Sequence, residues 1–292
     1  MNQTEHISRQ FSKFDVLSVG LVALIGLIHV PFPFGGDQSL FALGALSIDK
    51  GAVLYRDFWD AKQPAIYWFY LFGGKLFGFT DVGIHLFELL YVLAFSVVLI
   101  VTLKNYFKLR ELTALVPILT IGVYYGSGHN HFTQVEALVG FPIFLTLWFA
   151  NHAGQEARPG LIWPFVSGLA GGIVLLFKLF FLPLLLCLWA TAGLFLYLKC
   201  KNLKHVAFSY ALTIVLGMLV PVMLTVAYFA HLSDLKELIY ATWQFPLAAA
   251  RELPWKQRTG QLIIGLQWFF SYFAPLLALG FVGGWSALRR SR

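Results

Sequence analysis

The chain has 292 residues, of which 59% are hydrophobic and 12% are charged, and its formal net charge is +7. Soluble domains contain about 25% charged residues, so this composition excludes an ordinary soluble protein and indicates a polytopic membrane protein. The positive charge is assigned to Lys and Arg at membrane boundaries rather than to nucleic acid binding, because no basic cluster with a soluble fold accompanies it. The two cysteines, Cys187 and Cys200, argue against a disulfide framework.

Eight apolar segments predict membrane-spanning helices, because the backbone polar groups of a chain in lipid have only one another as partners. In chain order they cover residues 16–32, 82–103, 112–125, 135–151, 161–176, 182–198, 206–230 and 260–288. The fold class that we expect is therefore an all-α polytopic membrane protein with about eight transmembrane helices. We expect residues 1–292 to form a single transmembrane domain. The polar residues 1–15 and the prolines after the first segment do not resemble a cleavable signal sequence.

Two long polar segments interrupt this pattern, at residues 34–81 and 231–259. Within the first, residues 38–49 predict a short helix that Gly51 would end. Pro64 then opens a second apolar stretch, which is rich in Tyr and Trp and too short to cross a bilayer. We expect both helices of this loop to lie along the membrane interface.

The distribution of Lys and Arg predicts the orientation, since cytoplasmic segments carry more of these residues. Placing the N-terminus in the cytoplasm assigns more Lys and Arg to the inner segments, although the outer ones are longer. Both long loops then lie on the outer face of the cell inner (plasma) membrane. The first outer loop, residues 34–81, is where we expect the chemistry.

Asp37 and Glu136 are the candidate carboxylates at this face. Asp37 is interpreted either as the N-cap of the helix that begins at Gln38 or as a general base for an acceptor hydroxyl. Glu136 lies at the outer end of the fourth segment. With His129 and His131 it makes three candidate metal ligands at no recognised spacing. The sequence therefore leaves a divalent metal open as a cofactor without predicting a site.

Basic residues near these carboxylates are candidates for contact with a phosphate. Lys178, at the outer end of the fifth segment, either extends its ammonium to the interface or faces an anion. A cluster of mixed charge and aromatic rings in the first loop either pairs with itself in solvent or forms a rim that contacts sugar and phosphate. Its members are Tyr55, Arg56, Asp57, Trp59, Asp60 and Lys62. His85 and Glu88, one helical turn apart, are expected to pair with each other or with the loop helices.

These motifs carry a resemblance to a known superfamily. The acidic residue in GGDQ, the stretch ALSIDKGAVLYRDFWDAKQPAIYW, and the later FTQVEAL and GLAGGIVLLFK resemble the membrane glycosyltransferases of the GT-C superfamily. The most similar type is the protein mannosyltransferase and aminoarabinose transferase branch. The resemblance covers about residues 16–200. It implies transfer of a sugar from a polyprenyl-phosphate donor, with Asp37 as catalytic base and Glu136 as second carboxylate. It also implies that Lys178, with Lys62 or Arg56, lies near the donor phosphate.

The resulting hypothesis is an inverting membrane glycosyltransferase that acts on the outer face of the membrane. Its acceptor would be a hydroxyl of a glycan, lipid or protein. Two alternatives remain open at this point. One is a transporter or flippase of lipids or sugars, and the other is a non-catalytic subunit that keeps the GT-C-like core.

Overall fold

A computed structural model describes residues 11–104, 110–126, 128, 131–155, 160–202, 204, 206–252 and 254–267. These residues are mainly helical, and no β-strand occurs among them. The prediction of an all-α protein is thus confirmed. The chain divides into two compact units, Met1–Ala241 and Thr242–Arg292. The described part of the second unit is helical at Phe245–Glu252 and at 255–267, with mostly exposed side chains.

The first unit contains eleven α-helices within the described ranges, and the stretch Phe245–Glu252 of the second unit is α12. In chain order those of the first unit are α1 (Lys13–His29), α2 (Asp37–Asp49), α3 (Pro64–Phe77), α4 (Asp81–Leu103), α5 (Leu115–Gly126), α6 (Val135–Leu138), α7 (Gly140–Gln155), α8 (Ile162–Phe177), α9 (Leu182–Cys200), α10 (Thr213–His231) and α11 (Leu235–Ile239). Short 3₁₀ turns cover Arg110–Ala114 and Leu179–Phe181. Wider π-helical turns cover Val206–Leu212 and Tyr240–Gln244.

Four helical stretches in the described part of the chain are long and apolar enough to cross a membrane. They are Asp81–Leu103, Val135–Ala153, Leu179–Cys200 and Phe208–His231. They identify an all-α membrane protein in a lipid bilayer.

The prediction of about eight spans is not confirmed. Glu111–Gly126 and Ile162–Phe177 are apolar but short. A helix of 16 residues, such as the second of these, extends about 24 Å, against about 30 Å for the hydrocarbon core of a bilayer. The first predicted span is the 17-residue helix α1. Most of the eighth predicted span, at residues 268–288, lies outside the described residues.

The long helices of the first unit alternate in direction. The ends of α1, α8 and α10 therefore lie on the same side as the start of α4. The residue after α1, Val30, contacts the first turns of α4 through the His85 ring. Phe229, near the end of α10, packs against Tyr55 of the first loop. Lys178, directly after α8, bonds Glu136 of α6. We call this side, which also carries α2 and α3, the loop end of the first unit.

Helices α2 and α3 are the two helices predicted within the first loop, and the structure confirms both. Pro64 opens α3, a position where its missing N–H would have had no helical partner. Gly78 ends it with φ +93, a conformation that favours glycine. The two helices pack through Phe41 of α2, whose ring makes T-shaped contacts with Tyr67 and Tyr70 of α3. This aromatic contact holds the two helices together at the loop end.

Helices α8 and α10 approach each other closely, and glycines permit this. A Cβ added to Gly168 would lie 2.0 Å from the Ile214 carbonyl oxygen, and one added to Gly217 would lie 2.0 Å from that of Phe165. A Cβ on Gly172 would lie 2.5 Å from the Met218 carbonyl oxygen. Small residues spaced by four are typical of helix contacts in membranes, where close packing replaces the hydrophobic effect. The contact positions the end of α8, and with it Lys178.

Candidate functional site

An ion pair joins the start of α2 to the segment before α3. The Nζ of Lys62 lies 3.3 Å from the Oδ2 of Asp37, and both side chains are partly exposed. The N-cap of α2 is Gly36, and no side chain caps this helix end. Asp37 is the first helical residue, so the interpretation of Asp37 as the N-cap is wrong. Its carboxylate is free of the helix backbone and faces Lys62.

A second ion pair lies at the same end of the first unit. Lys178 donates a hydrogen bond to Glu136 from a position 42 residues further along the chain. Both side chains are again partly exposed, at 37% and 57% respectively. The two pairs are also linked through the chain, because Gln38, next to Asp37, donates a hydrogen bond to the carbonyl of Phe132, four residues before Glu136. The structure therefore brings together four of the residues named from the sequence: Asp37, Lys62, Glu136 and Lys178.

The two ion pairs are weak enough for another anion to replace their carboxylates. Partly exposed ion pairs contribute about 0–1 kcal/mol each, because water and salt screen them. An incoming anion can therefore take the two ammonium groups from their carboxylates at small cost. The arrangement provides two cations for a phosphate and two carboxylates that can accept a proton.

Arg56 and Asp57 form a separate, local pair in the first loop. The Arg56 guanidinium donates two hydrogen bonds to Asp57, at 3.0 and 2.9 Å. Asp57 also accepts the Val53 N–H at 2.8 Å. The bond from Arg56 and that from the Val53 backbone lower the pKa of Asp57 to about 2. These residues thus follow the self-paired interpretation of this cluster, and Arg56 is held by its neighbour.

Tyr55 and Asp60 have structural contacts that the sequence did not indicate. Tyr55 is only 2% exposed, so its expected place on a substrate rim is wrong. Its hydroxyl donates to the Lys62 carbonyl at 2.8 Å. Asp60 accepts the Tyr67 hydroxyl at 2.5 Å, and burial together with this bond raises the pKa of Tyr67. Both residues therefore hold the segment that carries Lys62, whereas Trp59, at 46% exposure, presents a ring to solvent.

The candidate metal ligands do not form a cluster in the part of the chain that the structure describes. No three His, Cys, Asp or Glu side chains come together there in a way that could hold a metal ion. His131 is exposed. His129 lies outside the described residues.

Sequence reasoning singled out His85 and Glu88 but not their partners. They do not pair with each other. The Nδ1 of His85 lies 3.2 Å from the Val30 carbonyl oxygen, and Glu88 accepts the Thr133 N–H at 2.7 Å. Glu88 also accepts a hydrogen bond from the Tyr124 hydroxyl. The sequence did indicate that the Glu88 carboxyl has polar partners, because an ionisable group inside an apolar segment needs them. It did not indicate which residues those partners are.

Comparison with protein-family models, curated proteins and solved structures found no match to this chain. The site is therefore defined by its own geometry. It consists of two ion pairs at the loop end of the first unit, with Trp59 exposed on the same loop as Lys62.

Proposed function

We propose that this chain is a membrane glycosyltransferase of GT-C type. It would transfer a sugar from a polyprenyl-phosphate carrier to an acceptor hydroxyl at the membrane surface. The observation that carries the proposal is that the pairs Asp37–Lys62 and Glu136–Lys178 both lie at the loop end of the first unit, joined by the hydrogen bond from Gln38 to Phe132. Two cations next to two carboxylates suit a reaction in which a phosphate leaves and a hydroxyl loses a proton.

The donor phosphate would bind Lys62 and Lys178 in place of their carboxylates. The bonds lost and the bonds gained are both charge-assisted, so the exchange replaces each carboxylate by another anion of the same kind of affinity for an ammonium group. The proposed step does not use Arg56, whose guanidinium makes two hydrogen bonds to the adjacent Asp57. Trp59 would offer its exposed ring as a flat face to the sugar.

Transfer would proceed in one displacement. Asp37, released from Lys62, takes the proton of the acceptor hydroxyl as the oxygen attacks the anomeric carbon. The bond between that carbon and the phosphate oxygen breaks, and its electron pair stays on the carrier phosphate. Lys62 and Lys178 stabilise the charge that builds there. Because attack and departure occur on opposite faces, the anomeric configuration inverts.

The loop end would face the exterior of the plasma membrane, with the N-terminus in the cytoplasm. Lys104 follows α4, and Lys199 and Lys201 lie at the end of α9, at the opposite end of helices that begin at the loop end. Lys and Arg favour the cytoplasmic side. The site would then lie at the outer headgroup layer, where a polyprenyl carrier can present its phosphate.

The test is transfer from a labelled polyprenyl-phosphate sugar by the purified chain in lipid vesicles. We expect product of inverted configuration from the unmodified chain. Asp37→Asn should reduce the rate by about 10²-fold or more, as expected for loss of a general base. Asp49→Asn is the matched control. It removes a carboxylate from the other end of α2 that also pairs with a lysine, Lys75, at 3.3 Å.

The control should keep its rate within about twofold, the difference expected for an exposed pair outside the site. Full transfer by Asp37→Asn would remove the proposed base. Uptake of the sugar into vesicles without any transfer would favour the transporter alternative. An inactive chain that co-purifies with a catalytic partner would favour the non-catalytic subunit.

A further inference from the structure

The turn before α6 has a backbone conformation that a branched residue rarely adopts. Thr133 has φ +51, in the left-handed region, and its side chain is fully buried. A β-branched residue is strained there and stays only where its surroundings determine the conformation. Thr133 lies three residues before Glu136. The contacts that hold this turn therefore also bear on the placement of a site carboxylate.

Four side chains from four different helices hold the turn, and we call them the turn frame: Gln38, Tyr70, Glu88 and Tyr124. Glu88 of α4 accepts the Thr133 N–H at 2.7 Å, and the Tyr124 hydroxyl of α5 lies 2.8 Å from the same nitrogen. The Tyr70 hydroxyl of α3 donates to the Thr133 carbonyl at 3.2 Å. Gln38 of α2 donates to the Phe132 carbonyl at 2.7 Å. The backbone N–H and carbonyl of Thr133 and the carbonyl of Phe132 thus have tertiary partners, whereas the buried Thr133 hydroxyl has no hydrogen-bond partner among the described residues.

Helix α4 also holds the segment on the other side of Glu136. The Tyr91 hydroxyl donates to the Leu138 carbonyl at 2.6 Å. That carbonyl would normally accept from the residue four positions on, but Pro142 has no N–H. Tyr91 therefore fills the place that the proline leaves empty. Glu88 and Tyr91, one turn apart on α4, anchor the chain before and after Glu136.

The same turn is tied to the other site carboxylate. Gln38 directly follows Asp37, is fully buried, and accepts the Gly35 N–H at 2.6 Å while donating to Phe132. Asp37 is thus connected to the turn through the buried hydrogen bond of its neighbour Gln38. Glu136 is connected to it through the chain, since it lies three residues after Thr133. Movement of the turn would change the relation between the two carboxylates.

We propose that Glu88 and Tyr91 are positioning residues of the site. They fix the backbone on both sides of Glu136 and, through the turn frame, its placement relative to Asp37. Glu88 is 1% exposed, so its role in the proposal is to hold the turn and not to bind substrate. This proposal rests on the proposed function for its catalytic consequence, but its structural content can be tested without any transfer.

The structural test is a distance measurement between α2 and α6 by electron spin resonance. Spin labels are attached to Ser39→Cys and Glu136→Cys, both at exposed positions, in a chain in which Cys187 and Cys200 are replaced by serine. Glu88→Gln keeps an acceptor for the Thr133 N–H and should preserve the distance distribution. Glu88→Ala should shift or broaden it. Ser96→Ala, which alters another buried polar residue of α4 away from the turn, is the control and should leave it unchanged.

The catalytic test uses the same α4 variants without the labels. Misplacement of a reacting group by about 1 Å can reduce a rate by about 10²-fold. We therefore expect Glu88→Ala to lower kcat by about tenfold or more with little change in KM, and Glu88→Gln to restore it. Where Glu88→Ala does not yield folded protein, Tyr91→Phe serves for both readouts, because it removes only the bond to Leu138.

An unchanged distance distribution in Glu88→Ala, or in Tyr91→Phe where that variant replaces it, would overturn the proposal. Equal losses of kcat in Glu88→Gln and Glu88→Ala, with transfer intact in the unmodified chain, would also overturn it. A changed distance in a chain that shows no transfer even when unmodified would support the positioning and reject the glycosyltransferase. The two proposals therefore fail separately.

Discussion

Lys178 donates a hydrogen bond to Glu136, although α7 and α8 separate the two residues in the sequence. The contact arises because α7 leaves the loop end and α8 returns to it. The close packing of α8 on α10 then fixes where α8 ends. The ion pair thus depends on the direction and the packing of these helices. A substitution that disturbs the packing of α8 on α10 should therefore displace Lys178.

Glycine substitution at this helix contact should unfold or loosen the chain. Gly217→Ala places a methyl group where only 2.0 Å separates it from the Phe165 carbonyl oxygen, and a backbone atom cannot rotate away. We expect a loss of about 1–3 kcal/mol, as measured for overpacked cores. Unfolding in detergent, followed by Trp fluorescence, would measure this loss.

Gly20→Ala provides the matched control for the glycine prediction. It lies within the apolar helix α1, and a Cβ there meets no atom within 4 Å. Alanine is a better helix former than glycine, so this variant should be neutral or gain about 0.5–1 kcal/mol. Equal stability of Gly217→Ala and Gly20→Ala would mean that the two helices are not in contact.

Asp234 gives a prediction about pH. It follows α10 and is 2% exposed, and its Oδ2 has no hydrogen-bond partner among the described residues. Burial raises its pKa; Arg56 opposes this shift, while Glu237 and Asp57 add to it. The unfolded chain therefore releases this proton first, at a pKa of about 3.9. Stability is lost as pH rises from that value to the raised pKa of the folded chain, and is constant above it.

Asp234→Asn should remove this loss. At neutral pH the variant should melt at a higher temperature, by about 2–4 °C for each kcal/mol recovered. Near pH 4 and below, the two melting temperatures should converge, because the carboxyl is neutral in the folded chain. Melting curves at both pH values measure the effect. A variant that is less stable than the unmodified chain at neutral pH would show that the carboxylate is stabilising.

Most helices of this protein could be predicted from the sequence, whereas only some of the contacts in the site could be. Apolar runs predicted α4, α7, α9 and α10, since hydropathy depends on residues close in sequence. Gly51 and Pro64 likewise marked the loop helices α2 and α3. The number of spans was overestimated, because the apolar runs did not show that the helical stretches containing α5 and α8 are short for a bilayer.

The partners of individual side chains depend on tertiary packing and could not be predicted in the same way. Asp37, Lys62, Glu136 and Lys178 were expected near one another from their common side of the membrane, and their pairing is found in the structure. Tyr55 was expected on a rim because tyrosine binds sugars well. It is buried, and its ring contacts that of Phe229, which lies 174 positions later in the sequence. The strained turn at Thr133 could not be predicted from the sequence, since side chains from four separate helices hold it.

The proposed phosphate site at Lys62 and Lys178 is tested by the affinity of the purified chain for a short polyprenyl phosphate, compared among three lysine variants. Lys62→Ala and Lys178→Ala should each weaken binding by about tenfold or more, the loss expected for one charge-assisted hydrogen bond. Lys75→Ala removes a lysine from a similar exposed pair with Asp49 and should bind within about twofold of the unmodified chain. Unchanged binding by Lys62→Ala and Lys178→Ala, or the same loss in Lys75→Ala, would contradict a shared phosphate site at the two ion pairs.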